Sequence, residues 1–471
     1  MKVYSFYTRQ RKIFPMELEL QLMRGLPKLQ VLGLPDQMIK ESFMRIKSAL
    51  MSTGFSWPNS QQILVNLRPA DVKKHSLGLE FAIAVALLLE TQQIKLELPK
   101  DRLFIYGELG LDGRVLPPKD LECLRPLLHE DDVVLTSFEG DLSHKGRVYL
   151  KTLADLKEAL VTFREDEIPT PQPERPQLPD LWFSKDQAHV LALSAVSGAS
   201  TLLAGPPGSG KTTFAESLFH LLPDLAEEDF LNLRAHHLQF GEDLKFRPMI
   251  SPHHSTPIMS LIGGGGNLFP GEVAKAHGGL LILDEFLLFP ARVIDALREP
   301  LASQKIQVAR GGAGVTWPAA FQFVATTNLC PCGKLSAKRN FSCGYTLQKC
   351  RSTWERLSGP MLDRFDLVVL TDAYRSRGAK EELVSLAEVK KQVDQARRHL
   401  SESASLKNAC SQGIPEVYRV FQSRRRENAL VKLARAQAAL EGRAEISSSN
   451  WTDAFLLSQR DVKAIGDLFA N

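Results

Sequence analysis

The sequence lacks any apolar run long enough to cross a membrane. Its longest run, Phe81–Leu89, has nine residues and lies between Glu80 and Glu90, whereas a spanning helix needs about 20 apolar residues. We therefore expect a buried core helix at this place. The N-terminus also lacks the apolar segment of a secretory signal, which predicts a cytoplasmic protein without membrane contact.

The sequence also has little net charge and few cysteines. The formal net charge is only +4 over 471 residues, so any surface that binds nucleic acid has to be local. Six cysteines in a chain of this length exclude a disulfide-rich secreted scaffold and favour reduced thiols. The content of 44% hydrophobic and 24% charged residues is that of a folded globular protein with several domains.

Four of the six cysteines form a cluster in the sequence. Four thiolates close together can hold Zn²⁺ in a closed structural site. Their spacing differs from that of a standard zinc ribbon, so a zinc site and ordinary, partly buried thiols both stay open. The four possible zinc ligands are Cys330, Cys332, Cys343 and Cys350.

A proline-rich stretch divides the chain. Five prolines fall within Ile168–Pro179, which favours a stiff, extended linker. Before it, the helical pattern of Gln37–Ser52 and the strand pattern of Gln62–Leu67 predict an α/β domain. After it, apolar runs alternate with helical patterns, as in a parallel sheet covered by helices, and purely helical patterns follow. We predict an N-terminal domain at 1–165, a linker at 166–180, a parallel-sheet core at 181–372 and a helical domain at 373–471.

The most specific motif is a phosphate-binding loop. Gly-Pro-Pro-Gly-Ser-Gly-Lys-Thr fits the pattern G-x-x-x-x-G-K-[ST] between an apolar run and a helical pattern. Glycines let the backbone N–H groups point at phosphates, and the helix N-terminus adds a positive dipole end. Lys211 can reach the terminal phosphates, and the Thr212 hydroxyl can ligate Mg²⁺. The predicted ATP-binding residues are Gly205, Pro206, Pro207, Gly208, Ser209, Gly210, Lys211, Thr212 and Thr213, joined by Asp284.

A second apolar run, Leu280–Leu283, ends in two acids. A buried strand here would place both carboxylates at the nucleotide. Asp284 is then predicted to hold Mg²⁺ through water, and Glu285 to polarise the attacking water as a general base. The competing interpretation is a core strand with two solvated charges at its end.

A third predicted strand, Phe321–Ala325, leads to Asn328. An amide at the tip of a neighbouring strand can orient the same water. In isolation Asn328 would be an ordinary turn residue. In this order after the other two motifs it resembles the first sensor of an AAA+ ATPase.

Two arginines complete the predicted site. Arg364 precedes a last strand, Leu367–Leu370. In ring ATPases with this arrangement, such an arginine faces the γ-phosphate of the neighbouring subunit. The alternative for Arg364 is a salt bridge with Asp363 or Asp366. Arg425 lies at the start of a helix in the helical domain, from which it can reach the nucleotide, although a plain basic helix surface is the simpler interpretation.

Further motifs extend the pattern over nearly the whole chain. They include Gly33–Glu41, Arg45–Leu50, Val65–Ala70, Gly107–Arg114, Pro252–Ser255, Pro270–Val273, Leu297–Leu301, Cys330–Gly333 and Arg356–Pro360. Together these residues resemble the ComM/YifB family of magnesium-chelatase-like AAA+ ATPases. The resemblance implies an α/β protein with a ribosomal-S5/Lon-like N-terminal domain, an AAA+ core and a helical lid. It also implies a hexameric homo-oligomeric ring that uses ATP and Mg²⁺ as a DNA branch-migration helicase in recombination or transformation.

One departure from the family affects the DNA interpretation. Lys305–Arg310 and Val315–Pro318 are predicted to form a hairpin, and relatives carry several basic residues at its tip. Here the tip is Gly-Gly-Ala-Gly, so the case for this loop as a DNA grip is weaker. An ATP-driven chaperone that remodels a protein partner, as chelatase motor subunits do, therefore stays open. The N-terminal domain, which chelatase motors usually lack, favours DNA.

Three other reactive side chains are assigned structural roles. A Lon-type fold raises the question of peptidase activity, but Ser76 lacks the Gly-Pro-Ser-Ala-Gly setting of that nucleophile, so an inactive fold is expected. His253 and His254 are adjacent and point apart on most backbones. We expect them to serve an interface or a structural role near the nucleotide, and not a metal.

Overall fold

A computed structural model gives the fold of the chain. It describes residues 2–9, 12–25, 28–32, 37–70, 76, 78–96, 102–139, 142, 144, 146–158, 172–265, 268–310, 313–328, 345–346, 348, 359–371, 382–419 and 423–458. The chain folds into two compact units. Unit 1 comprises residues 1–173 and 225–245, and unit 2 comprises residues 174–224 and 246–471.

Strands and helices alternate along much of the chain. The strands are β1 (Lys2–Arg9), β2 (Lys12–Arg24), β3 (Leu29–Leu32), β4 (Gln61–Arg68), β5 (Leu103–Ile105), β6 (Glu108–Leu109), β7 (Val115–Leu116), β8 (Val133–Ser137), β9 (Arg147–Leu150), β10 (Trp182–Ser184), β11 (Thr201–Ala204), β12 (Met249–Ile250), β13 (Gly263–Gly264), β14 (Phe269–Pro270), β15 (Leu280–Leu283), β16 (Lys305–Arg310), β17 (Ala313–Pro318), β18 (Gln322–Thr327), β19 (Leu367–Leu370) and β20 (Leu383–Ser385). The α-helices are α1 (Gln37–Ser52), α2 (Leu79–Glu90), α3 (Lys185–Ser197), α4 (Lys211–His220), α5 (Glu227–Leu238), α6 (Ile258–Ile262), α7 (Glu272–Lys275), α8 (Ala291–Ala296), α9 (Arg298–Ser303), α10 (Gly359–Leu362), α11 (Leu386–Glu402), α12 (Ala404–Asn408), α13 (Arg424–Leu440) and α14 (Ser448–Ser458).

Unit 1 is built on a seven-stranded mixed sheet with the order β3-β4-β2-β1-β5-β8-β9. Along β2, Leu18 and Leu20 are buried and the intervening Glu19 is only half-buried, which is the two-residue period of a strand with one apolar face. The predicted core helix is confirmed as α2, which is buried from Leu79 to Leu88. No helix within the described residues is both long enough and apolar enough to span a bilayer. The α/β class predicted for this part of the chain is confirmed.

Unit 1 also contains α5, although this helix lies in the sequence between α4 and β12 of unit 2. Leu238 packs against a buried hydrophobic cluster of unit 1. The guanidinium of Arg234 lies 2.6 Å from Glu122 Oε2 and donates to Asp243 Oδ1, also at 2.6 Å. The segment 225–245 therefore leaves the unit that contains its flanking elements, which no sequence pattern predicted.

Unit 2 is built on a five-stranded parallel sheet with the order β12-β15-β18-β11-β19. Strands β11 and β15 are buried along their whole length, as is typical of parallel strands covered on both faces. The apolar runs predicted to form β11, β15, β18 and β19 are confirmed as strands. Because β18 lies between β11 and β15, the residues that follow these three strands meet at the carboxyl edge of the sheet.

The C-terminal part of unit 2 is helical. Helices α11 and α13 pack with each other and with α3, and α14 packs against α13. Leu193, Val393 and Leu433, from three of these helices, share one buried cluster. Strand β20, which precedes α11, pairs with β10 in a separate two-stranded ladder. The helical character predicted for this region is confirmed, whereas the bounds of the four predicted segments stay a prediction.

Two small ladders lie in the sequence between β12 and β18. The predicted hairpin is confirmed as β16 and β17, in which Ile306 pairs with Trp317 and both are buried. Its second strand begins earlier than predicted, because Ala313 and Gly314, assigned to the tip, belong to β17. Nearer to β12 come α6, the β13–β14 ladder and α7, which lie in the sequence between the core strands β12 and β15 and are called the inserted elements below. Met259 and Phe269 there are 58% and 39% exposed.

Candidate nucleotide-binding site

The phosphate-loop motif lies between the buried strand β11 and helix α4, which begins at Lys211. Gly208 and Gly210 have φ values of 75° and 83°, a left-handed conformation that other residues rarely adopt. A Cβ atom on Gly205 would lie 2.2 Å from Thr371 Oγ1, so this position requires glycine for space. The loop therefore has the curled backbone at a helix N-terminus that binds phosphate in proteins.

Lys211 connects the loop to the tip of the neighbouring strand. Its Nζ donates to the carbonyl oxygens of Gly205 at 2.9 Å and Pro206 at 2.8 Å. It also donates to Asn328 Oδ1 at 3.2 Å. Asn328 follows β18, the strand beside β11, so the parallel sheet brings together two side chains far apart in the sequence. The predicted proximity of the loop and the sensor-like amide is present.

Asp284 lies close to the hydroxyl of Thr212. Thr212 Oγ1 is 3.5 Å from both carboxylate oxygens of Asp284, and Thr326 Oγ1 donates a short hydrogen bond to Asp284 Oδ1. Mg²⁺ prefers oxygen ligands at about 2.1 Å, so two ligands of one ion lie roughly 3–4 Å apart. The hydroxyl and the carboxylate fit this donor chemistry, and Thr212 and Asp284 are the residues that would hold the ion. Their spacing also suits direct ligation by Asp284, whereas the sequence predicted a contact through water.

Glu285 combines a constrained backbone with an accessible carboxylate. Its φ of 50° and ψ of 46° are left-handed, which is uncommon outside glycine and often found at functional sites. Its N–H donates to Thr326 Oγ1 at 3.1 Å, whereas its side chain is 47% exposed. His254 Nδ1 lies 3.8 Å from Glu285 Oε2. This contact agrees with a position near the nucleotide for His254. The prediction that the two adjacent histidines point apart is wrong, because the centroids of their rings lie 4.0 Å from each other.

The two predicted arginines lie together. Arg425 Nη2 donates to the carbonyl oxygens of Leu301 at 3.2 Å and Arg364 at 3.4 Å. Arg364 Nε donates to the carbonyl of Arg298 at 3.3 Å, and Arg364 Nη1 is 3.6 Å from Asp363 Oδ2. Burial, aided by the charge of Arg364, lowers the pKa of Arg425 below its usual range. The distance between Arg364 and Asp363 shows that the ion pair considered for Arg364 is present.

This pair of arginines lies at the amino edge of the parallel sheet. Arg364 precedes β19, and Asp366 N donates to the carbonyl of Ser200, just before β11. Arg425 lines a cavity of about 300 Å³ together with Ser200 and Asp366. The phosphate loop instead follows β11. Four strand residues, about 13 Å of extended chain, separate the two edges.

A second group of residues surrounds part of the phosphate loop, and its members outside the loop carry no recognisable motif. They line a cavity of about 240 Å³, to which β10, β20 and α3 contribute. Ser209 of the loop and Thr371, which follows β19, share a hydrogen bond of 2.6 Å between their hydroxyls. Sequence patterns could not identify this cavity, because its walls come from short segments that only the fold brings together. The lining residues are Trp182, Phe183, Ser184, Gln187, Val190, Gly208, Ser209, Gly210, Thr213, Phe214, Val369, Thr371 and Leu383.

The predicted zinc site stays a prediction. Among the residues that the structure describes, no three His, Cys, Asp or Glu side chains are grouped to hold a metal. Of the two isolated cysteines, Cys410 is exposed and Cys123 is buried, and burial raises the pKa of Cys123 to about 12. Outside the described residues lie the four predicted ligands, Cys330, Cys332, Cys343 and Cys350.

Both units are similar to known proteins. The family described as magnesium chelatase, subunit ChlI, matches residues 178–378, and the family described as subunit ChlI of Mg-chelatase matches residues 18–129. The uncharacterized protein YifB of Escherichia coli is 35% identical over 381 residues, which cover 75% of this chain and 72% of that protein. Competence protein ComM of Haemophilus influenzae is 30% identical over 377 residues, with the same two coverages. The uncharacterized protein Rv2897c of Mycobacterium tuberculosis is 32% identical over 378 residues, which cover 75% of this chain and 73% of that protein.

Proposed function

Because the chain belongs to the YifB and ComM family of magnesium-chelatase-like AAA+ ATPases, we propose that it uses ATP hydrolysis to move along DNA. The intermediates that it would remodel are branched or single-stranded. The proposed ATP hydrolysis rests on one observation, which is that Lys211, Asp284 and Asn328 lie together at one edge of the sheet. A phosphate loop, a carboxylate and an amide there are the parts that phosphoryl transfer requires.

Each residue of this cluster has a role that follows from its chemistry. The loop N–H groups and Lys211 bind the β- and γ-phosphates, and Asn328 orients the attacking water. Glu285 accepts a proton from that water as its oxygen bonds to the γ-phosphorus and the bond to ADP breaks. Thr212 and Asp284 would hold Mg²⁺, which would offset charge on the phosphates when bound. The cavity beside Ser209 and Trp182 accepts the base and ribose of ATP.

The arginines supply the argument for a ring. Arg364 and Arg425 lie at the amino edge of their own sheet, and ATP would lie at the carboxyl edge. We therefore assign both arginines to the nucleotide of a neighbouring subunit, where they stabilise developing charge. For Arg425 this differs from a position above its own nucleotide, and its contact with Arg364 favours the shared role. A closed ring, hexameric as the resemblance implies, gives every site such a neighbour.

Movement along DNA is supported by a sequence relative and by the chemistry of one surface. One relative is a competence protein by name. The exposed side chains of Met259 and Phe269 on the inserted elements offer apolar surface, and bases of single-stranded nucleic acid stack on such surfaces with little sequence preference. Lys305 on the neighbouring hairpin adds positive charge. A cytoplasmic setting accords with this role.

A protein partner is the second candidate. Residues 311–314, which the sequence predicts at the tip of the hairpin, are Gly-Gly-Ala-Gly and lack the cations that would follow a phosphate backbone. Both matching family descriptions name a chelatase subunit. An ATP-driven chaperone would use the same apolar surface to hold a polypeptide.

Steady-state ATP hydrolysis separates the two candidates. The protein is assayed alone and with single-stranded, duplex and four-way-junction DNA, with Lys211→Ala as the blank. We expect stimulation by single-stranded or junction DNA that is lost as salt is raised, because phosphate contacts release counterions. Hydrolysis that no DNA changes would contradict the DNA proposal and favour the protein partner.

A further inference from the structure

The chain crosses between the two units three times. The crossings fall at residues 173–174, 224–225 and 245–246. Residues 225–245, called the α5 segment below, lie between the second and third crossings and belong to unit 1. Arg175, the second residue of unit 2 after the first crossing, contacts both Asp224 and Phe246. The unit 2 ends of all three crossings therefore lie around a single guanidinium group.

Arg175 lies in the proline-rich stretch that the sequence predicted as a linker, and only 24% of its side chain is exposed. Its Nη1 donates to the carbonyl oxygen of His220 at 2.9 Å, and its Nη2 donates to that of Leu222 at 3.1 Å. Nε and Nη2 also donate to Asp224 Oδ1, at 3.1 and 2.5 Å. The planar fork of arginine serves these acceptors together, which a single lysine amine cannot do with the same geometry.

Two of these acceptors lie at and just after the end of α4, the helix that begins with Lys211 of the phosphate loop. The last carbonyl groups of a helix have no partner within it and carry partial negative charge, so a cation there stabilises the helix end. Helix α4 has ten residues, which extend about 15 Å. A displacement of the phosphate loop on binding ATP would therefore be passed along α4 to His220 and Leu222.

The third crossing is tied to the same place by Phe246 and Arg247. The guanidinium carbon of Arg175 lies 5.3 Å from the centre of the Phe246 ring, within the range of a cation–π contact. Phe246 is buried, so this contact is shielded from water. Arg247 Nε donates to the carbonyl oxygen of Pro223 at 2.7 Å, just before the second crossing. Both ends of the α5 segment are therefore fixed to each other and to the end of α4.

We propose that Arg175 is a positioning residue that couples the phosphate loop to the α5 segment, so that binding of ATP stabilises a part of unit 1. The inference rests on the proposed binding of ATP at the loop. When ATP draws the start of α4 into place, the end of the helix moves with it, and Arg175 carries that movement to Asp224 and Phe246. Coupling between two sites is reciprocal, so a ligand that stabilises the α5 segment raises the affinity of the loop for ATP.

Hydrogen exchange of the full-length protein tests the coupling. Exchange is compared without nucleotide and with a non-hydrolysable ATP analogue plus Mg²⁺, in the peptides that cover 211–220 and 225–245. In the wild type we expect the analogue to slow exchange in both peptides, by about fivefold in the α5 segment, the lower end of typical coupling between sites. In Arg175→Ala the peptide 211–220 should still be protected, whereas protection of the α5 segment should be lost. A residue with a merely structural role would change exchange with and without the analogue alike.

Asp224→Asn is the second variant. It removes the charge that Arg175 contacts beside the second crossing and leaves the hydrogen bonds of Arg175 to the end of α4 in place. It should weaken the response of the α5 segment to the analogue and leave that of the peptide 211–220 unchanged. The matched controls are Arg398→Ala on α11 and Asp453→Asn on α14, which remove exposed charges of unit 2. Both should respond to the analogue as the wild type does.

Protection of the peptide 211–220 without any response of the α5 segment in the wild type would overturn the proposal, as would a full response of that segment in Arg175→Ala. If Arg175→Ala does not fold, which is recognised by loss of a cooperative thermal transition, Asp224→Asn decides. A full response there overturns the coupling, and a reduced one supports it. If the analogue protects neither peptide in the wild type, the proposed nucleotide site itself is contradicted, and the coupling with it. The peptide 211–220 therefore distinguishes the two failures.

Discussion

Two groups of polar residues in unit 2 differ in where they lie on the parallel sheet and in what they contact. The loop cluster, Lys211, Thr212, Asp284, Glu285 and Asn328, follows three adjacent strands. Within one chain Lys211 contacts Asn328, and Thr212 contacts Asp284. The arginine pair, Arg364 and Arg425, lies at the opposite edge and contacts carbonyl groups and Asp363. The comparison teaches that one chain assembles the groups for binding ATP at one edge and keeps two cations at the other. A site shared between subunits accounts for both.

The largest effect is expected from removing the amine of the loop cluster. Lys211→Ala should reduce ATP hydrolysis to the background of the assay, because the ammonium that contacts the terminal phosphates is lost. Phosphate release at saturating ATP measures this. Lys391→Ala, an exposed lysine on α11, is the matched control and should keep the wild-type rate. Retained activity in Lys211→Ala would contradict the role of the loop cluster in ATP hydrolysis.

The next largest effect is expected at the arginine pair. Arg364→Ala should lower kcat by about 10³-fold, the magnitude typical of an arginine that stabilises the transferring phosphoryl group. ATP binding should change little, as measured by equilibrium titration with a fluorescent ATP analogue. Arg443→Ala removes an exposed arginine of the same unit and should be neutral. An unchanged kcat in Arg364→Ala would mean that Arg364 serves only a structural role, through its ion pair with Asp363.

Glu285→Gln should lower kcat by about 10²-fold and leave KM for ATP nearly unchanged, because loss of a general base affects the reaction more than binding. Single-turnover hydrolysis under saturating ATP reports the chemical step. Glu402→Gln, at the exposed end of α11, provides the matched change of charge. A rise in KM with an unaltered kcat would show that Glu285 contributes to binding and not to catalysis.

The smallest effect is expected at the cavity beside the loop. Trp182→Ala should raise KM for ATP roughly tenfold with kcat unchanged, since partial loss of an apolar contact costs about 1.4 kcal/mol. Trp182→Phe keeps most of that surface and should stay within about twofold of the wild-type KM. If Trp182→Ala bound ATP as tightly as the wild type, the base would lie elsewhere.

The loop cluster could be predicted because its parts are local in sequence. Each of its strands is a short apolar run, and each functional residue follows such a run directly. Buried parallel strands have this appearance, as β11 and β15 illustrate. The glycine positions of the loop are equally local, since they depend on backbone conformation and close approach.

The remaining features depend on the order of strands and on packing, which no short pattern records. Asn328 meets Lys211, and His254 meets Glu285, only because β18 and β12 take particular places in the sheet. The walls of the cavity at Trp182 come from β10 and β20, which pair across about 200 positions of sequence. Helix α5 belongs to unit 1 through the contacts of Arg234 and Leu238. These contacts depend on packing, and the helical pattern of α5 does not predict them.

The most direct test of a shared site is complementation between two inactive variants. Lys211→Ala and Arg364→Ala proteins are mixed before assembly, and ATP hydrolysis is compared with that of each alone. In a randomly mixed ring about a quarter of the interfaces join an intact loop to an intact arginine. The account predicts a clear return of activity on mixing. Activity that stays at background, while Lys211→Ala is shown to enter wild-type assemblies, would contradict it and place Arg364 at its own subunit's nucleotide or outside catalysis.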